Sequence, residues 1–292
     1  MSPRYPRGVG RLVALAAVVA AVVATTAAAR PPHPAIPAVE APWAGAGAFV
    51  WHEDAVDPVL FAQRLRREGF SWAAVFLHEG VDVDPVAPGW IERYRAAGGP
   101  PLGGWGVLRT SPRQEAGIAV ALLRRLHLGF YVANPEEEYK YTNLDGTSAA
   151  RWNRSLEFAR SFRQFTGSVP AAVSSYCRAD QQDLDWKAWA DRDFAFLPQA
   201  YVNQHGMPTA PRECVRGARG LFPPDGVHPT IGTYQSTIPV PMDAYVRLLA
   251  ASALAGSRGF SVYLAETNVS DADWSILGAA VASGRIADAA RS

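Results

Sequence analysis

Three consecutive glutamates, Glu136, Glu137 and Glu138, follow the apolar run Gly129–Ala133 and the dipeptide Asn134-Pro135. Carboxyl groups held close together can divide the work of acid and base, one protonating a leaving oxygen while another serves as base or nucleophile. Side chains alternate along an extended chain, so Glu136 and Glu138 share a direction there and Glu137 opposes them. The same acids would also suit the first turn of a helix, where the dipole favours negative charge, or a solvated surface. What decides between these readings is the element that delivers them.

Short apolar runs recur at Ala46–Trp51, Trp72–Leu77, Leu102–Val107, Leu128–Ala133, Ala171–Ser175, Phe194–Val202, Thr230–Thr233 and Gly259–Tyr263. Their spacing averages about thirty residues, the length of one βα unit. Helix starts lie between them: Asp57-Pro58 places a cap before a first-turn proline, Ser111-Pro112-Arg113-Gln114 reads as a capping box, and Ser270–Asp273 as a looser one. Trp152, Phe158, Phe162 and Phe165 recur at helical spacing and predict the core face of the helix after the fourth strand. A doubly wound sheet usually carries a glycine-rich loop after its first strand, and here that position reads Trp51-His52-Glu53-Asp54. Eight units therefore predict a single α/β domain, a (β/α)8 TIM barrel, whose C-terminal strand ends carry the chemistry.

Those ends form a coherent set. The first supplies Trp51 and His52, the second His78 and Glu79, the third Trp105, and the fourth Asn134, Glu136 and Glu138. The fifth supplies Tyr176, the sixth Gln199 and Tyr201, the seventh Tyr234 and Gln235, and the eighth Glu266. Aromatic, carboxylate and amide groups together suit a sugar, whose apolar faces stack on rings while its hydroxyls take paired donors and acceptors. Packing inside the barrel accounts equally well for Trp51 and Trp105, and a structural hydrogen bond for His52 or His78. The basic or glycine-rich cradle of a phosphate site is not evident near the last two strands.

The apolar strand followed by Asn134-x-Glu136-x-Glu138-Tyr139, then Ser174-Ser175-Tyr176, Pro198-Gln199-Ala200-Tyr201 and Pro229-Thr230-Ile231-Gly232-Thr233-Tyr234, resembles the glycoside-hydrolase-like barrel domains of secreted bacterial and phage proteins. The likeness spans most of residues 46–290. It implies a glycosidase in which Glu136 is the acid/base and Asn134 positions substrate. It also implies a nucleophilic glutamate at the end of the seventh strand, where this chain has Gln235, and an amide cannot form a glycosyl ester. Glu138, Glu266 or Glu79 would have to supply the second carboxylate. A carboxyl separation of about 5–5.5 Å would indicate retention and about 6.5–9.5 Å inversion. A barrel that binds carbohydrate without turning it over, and an envelope-anchored structural protein, stay open beside the enzyme.

The N-terminus carries Arg4, Arg7 and Arg11, then the apolar run Leu12–Val23, then Ala27-Ala28-Ala29. That order predicts a secretory signal over residues 1–29, with membrane association only if it is left uncleaved. Pro31, Pro32, Pro34, Pro37 and Pro42 predict an extended linker over residues 30–45, ahead of a barrel over 46–292. In an oxidising compartment the two cysteines, Cys177 and Cys214, are expected to bridge, closing the Pro- and Gly-rich stretch Gly206–Pro224 beside the mouth. Net charge is +1 over 292 residues, and loss of the three N-terminal arginines takes it to −2, so the basic footprint of a nucleic-acid binder is missing. At 49% hydrophobic and 19% charged residues the composition is that of a globular domain. No zinc, redox or dinucleotide motif has a supporting context, so no metal or cofactor is expected. The expected partner is a polysaccharide or oligosaccharide.

Overall fold

A computed structural model of the chain describes residue 36 and residues 42–286, apart from 52–55, 86, 137–138, 141–147, 180–183, 234–237, 264–268 and 285; for 148–152 it describes the backbone alone. These residues belong to the unit Ala35–Ser292. Eight parallel strands close on themselves: β1 (Gly45–Val50), β2 (Trp72–Glu79), β3 (Leu102–Leu108), β4 (Tyr131–Pro135), β5 (Ala171–Tyr176), β6 (Phe194–Gln199), β7 (Thr230–Gly232) and β8 (Gly259–Tyr263). Closure comes from β1, which pairs in parallel with β2 on one side and β8 on the other. A two-residue strand, Asp82–Val83, turns back antiparallel on the end of β2. The fold is the expected single (β/α)8 barrel, and each of the eight apolar runs contributes one strand.

The outer layer consists of α1 (Pro58–Arg67), α2 (Ala87–Ala96), α3 (Pro112–Arg125), α4 (Ser148–Thr166), α5 (Trp186–Ala190), α6 (Val202–His205), α7 (Pro211–Gly217), α8 (Met242–Ala253) and α9 (Asp271–Ala282). Asp57 caps α1 by accepting from the Val59 and Leu60 amides, and Ser270 caps α9 by accepting from the Asp273 amide, as their sequences predict. Ser111 behaves otherwise: its side chain makes no capping bond. Instead the buried Glu115 carboxylate accepts from the Ser111 amide at 3.0 Å and the Arg109 amide at 3.1 Å, so the acid of the box is Glu115, one residue beyond Gln114.

Two apolar layers result from the alternation of each strand. Outward side chains such as Val75, Tyr131, Val173, Phe196 and Val262 pack with the helices, including the fully buried Phe158 and Phe162 of α4. Phe165, expected beside them, is 36% exposed near the end of α4, and the Trp152 side chain lies outside the described residues. Inward side chains fill the barrel. Trp43, Trp72 and Phe130 meet edge to face at ring separations of 5.2–5.7 Å in its lower half. Space for those rings comes from Gly47 and Gly103, where a Cβ would overlap the Trp72 and Phe130 rings respectively.

Two strands differ most from expectation in their limits. The fourth run starts as loop, and β4 opens only at Tyr131, carrying regular pairing as far as Pro135. The sixth ends at Gln199, because the chain turns at Ala200 and Tyr201 becomes the N-cap of α6.

Candidate active site at the C-terminal end of the barrel

Asn134 stands on β4 with Val132 behind it on the inward face, and Glu136 follows one alternation later. The Asn134 side-chain amide donates to Glu136 Oε1 at 2.8 Å. Its carbonyl oxygen accepts from Gln199 Nε2 at 3.1 Å, across two strand steps from β6 to β4. The chain Gln199→Asn134→Glu136 fixes which end of the Asn134 amide faces the acid, since each amide must place its NH2 and its oxygen on different partners. Asn134 is 6% exposed, whereas Gln199 and Glu136 are half-buried and open toward the mouth.

Beneath this chain lies a small cavity lined by Phe49, Trp105, Asn134, Ser174, Gln199, Tyr201, Thr230 and Tyr263. Its floor carries hydroxyls as well as rings, with Thr230 and Ser261 bonded through their oxygens at 2.7 Å. The β1–β3 side is an aromatic wall. Trp51, half-buried, stacks on Phe76 at 5.0 Å and 19° and leans on Trp105 at 4.9 Å. Trp105 is 1% exposed and donates its indole N–H to the Val50 carbonyl at 2.8 Å. It is therefore the buttress of this wall, and Trp51 is the ring nearer to solvent. Tyr263 continues the wall and stacks with Tyr201 at 5.7 Å.

The structure thus brings together Trp51, Trp105, Asn134, Glu136, Gln199 and Tyr201, with Tyr176 above them at the end of β5. His78 is not among them. A register shift between Phe76 and His78 turns its ring to the helix side of the sheet, where it is fully buried. There Nδ1 donates to the Gly80 carbonyl at 2.9 Å, leaving Nε2 to accept from the Tyr131 hydroxyl at 2.7 Å. Burial holds this histidine down to about 4, so the neutral ring that the two bonds require persists at neutral pH. Glu79 is also committed, forming an ion pair with Arg109 at the ends of β2 and β3. Glu138, Glu266, His52, Tyr234 and Gln235 lie outside the described residues.

Phe76 and Tyr263 join the site without having been singled out in the sequence. The period-two pattern Trp72-Ala74-Phe76 and the last residue of the eighth apolar run were the signals available. Cys177, the residue after β5, is bonded to Cys214 in α7, as expected from the cysteine count. The Pro- and Gly-rich stretch that it ties down is folded as α7 and two short 3-10 turns, Met207–Thr209 and Pro224–Gly226. Among the described residues no three His, Cys, Asp or Glu side chains are grouped to hold a metal ion. Nor is any described helix long and apolar enough to cross a membrane.

No protein-family model and no curated protein matches the sequence. Solved structures do. A GH18 chitinase from Pseudoalteromonas aurantia superposes with a TM-score of 0.62 at 10% identity, over 82% of this chain and 99% of that one. The Group IV chitinase of Ostrinia furnacalis, solved with allosamidin, gives 0.55 at 8% identity over 82% and 98%. An exo-β-1,4-mannosidase from Opitutaceae bacterium strain TAV5 gives 0.54 at 13% identity, and this chain, 77% covered, spans 54% of its length. All three are glycoside hydrolases. At these identities the likeness is one of fold, and the disulfide is compatible with an extracellular protein.

Proposed function

We propose that this chain is a secreted glycosidase acting on an extracellular or cell-wall polysaccharide, with Glu136 as its proton donor. The observation that carries the reading is the hydrogen-bonded series Gln199, Asn134, Glu136 at the functional end of a barrel, the end that also carries a half-buried tryptophan. Asn134 occupies Oε1 of the acid. That leaves Oε2 to carry the proton toward the glycosidic oxygen, and Glu138 or Glu266 is the second carboxylate. Trp51 offers a face to the sugar ring; Gln199, Tyr201, Tyr234 and Gln235 offer donors and acceptors to its hydroxyls. Residues 1–29 are the export signal, 30–45 the linker and 46–292 the barrel in this reading.

The test is release of reducing sugar from bacterial cell-wall and capsular polysaccharides by protein lacking residues 1–29, run beside Glu136→Gln. Release by the parent and its loss in the variant support the glycosidase. The second reading, a barrel that binds carbohydrate without cleaving it, is favoured by Gln235 at a position where the resembling enzymes hold a nucleophile. Sugar binding by calorimetry with no release from any substrate would decide for it.

A further inference from the structure

The inward face of β5 reads Ala172, Ser174, Tyr176: the first lies in the interior cluster, the second lines the small cavity, and the third pairs in register with Gln199. Two residues along a strand rise roughly 6.6 Å, the scale of one sugar ring. Tyr176 therefore stands one ring above the cavity, on the side of the barrel away from Trp51. Its half-buried ring meets the exposed His205 at 5.2 Å and 79°. Past Gly206, Met207 is 59% exposed, and Ile238, bonded to this corner through its amide, is 39% exposed.

That corner is held in place from three directions. Cys177, next in the chain to Tyr176, is bridged to Cys214. The Ile238 amide donates to the Asn203 carbonyl at 3.1 Å. The Asn203 amide donates to the Tyr245 hydroxyl at 3.3 Å, which in turn donates to the Gly232 carbonyl at 2.9 Å. Rings and apolar side chains held in this way at a rim have little ordering left to cost on binding. Partial burial lowers the His205 pKa from its ordinary value, which favours the uncharged ring.

We propose that Tyr176 and His205, flanked by Met207 and Ile238, form a second sugar subsite, so that the protein takes a chain of at least two sugar rings rather than a single glycosyl unit. This rests on the carbohydrate reading above. The experiment is calorimetry with mono- to hexasaccharides of β-1,4-linked N-acetylglucosamine and mannose and of α-linked galactose, on protein carrying Glu136→Gln to prevent turnover. Affinity is expected to rise from one ring to two or three. Tyr176→Ala should cancel that rise, a loss of roughly 3- to 10-fold for the longer ligands with the monosaccharide unaffected, while Tyr176→Phe keeps it. His205→Ala, at an exposed position, should lower the same ratio and carries the test if Tyr176→Ala does not fold. An unchanged long-to-short ratio in these variants overturns the subsite and leaves the carbohydrate reading standing. No binding of any sugar by the parent overturns both.

Discussion

The lower and upper halves of the barrel interior are built from much the same rings and differ in what surrounds them. Below, Trp43, Trp72 and Phe130 interlock edge to face, seated against Gly47 and Gly103. The Trp72 indole nitrogen is buried with no hydrogen-bond partner among the described residues. Above, Trp105 has its indole bonded to a backbone carbonyl, Trp51 and Tyr263 are only half-buried, and amides and a carboxylate share the space. A ring closed in on every side contributes packing; a ring left half open at the end of the barrel that also holds a carboxylate is available to a ligand. The position of a tryptophan along its strand, more than its identity, separates the two roles.

That contrast can be broken experimentally. The largest expected effect is at the top: Glu136→Gln should lower turnover by about 10²- to 10⁴-fold with the melting temperature unchanged, measured by reducing-sugar release and calorimetry. At the bottom Trp72→Ala should do the reverse, costing about 3–5 kcal/mol in urea unfolding through the cavity it leaves. Activity per folded molecule should hold. Trp72→Phe should cost less than Trp72→Ala, since it restores most of the ring and removes an unpartnered donor.

Acid should act instead through two buried histidines. His78 and His228 are both held down to about 4 from 6.5 by burial. The unfolded chain therefore binds two protons, as pH falls from 6.5 toward 4, that the folded chain refuses. Stability from these groups is complete above pH 6.5 and declines below it by up to about 2.7 kcal/mol per pH unit. Glu115, raised by burial against the pull of Arg154 and Arg109, offsets part of this because its folded form protonates first. Urea midpoints between pH 7 and pH 4.5 measure the slope, which His78→Asn should reduce. A smaller effect is expected for Asn134→Ala, roughly 10-fold in kcat, since Glu136 keeps its place in the chain but loses the donor on Oε1. Smaller still is Trp51→Ala, about 3- to 10-fold in KM.

Much of this architecture is legible in the order of residues alone. Apolar run length and spacing depend on local backbone geometry and on burial of both sheet faces, so all eight strands can be read off, as can the caps at Asp57 and Ser270. The cysteine pair follows from its even count. Phase is what local patterns miss. His78 falls on the strand end where a regular alternation would aim it at the mouth, and one register shift after Phe76 sends it to the other face. Ser111-Pro112-Arg113-Gln114 reads as a capping box, yet the Ser111 side chain makes no capping bond and the carboxylate that accepts from its amide is the buried Glu115, one residue further on.

By itself the sequence determined the number of strands, the closed parallel class they imply and the residue types at each strand end, because these rest on periodicities of two and 3.6 that neighbouring residues share. Tertiary structure alone decided that Gln199 reaches Asn134, 65 residues away, and that Asn134 in turn holds Glu136. A hydrogen bond between distant positions depends on barrel closure and strand register, and neither is written in any local pattern.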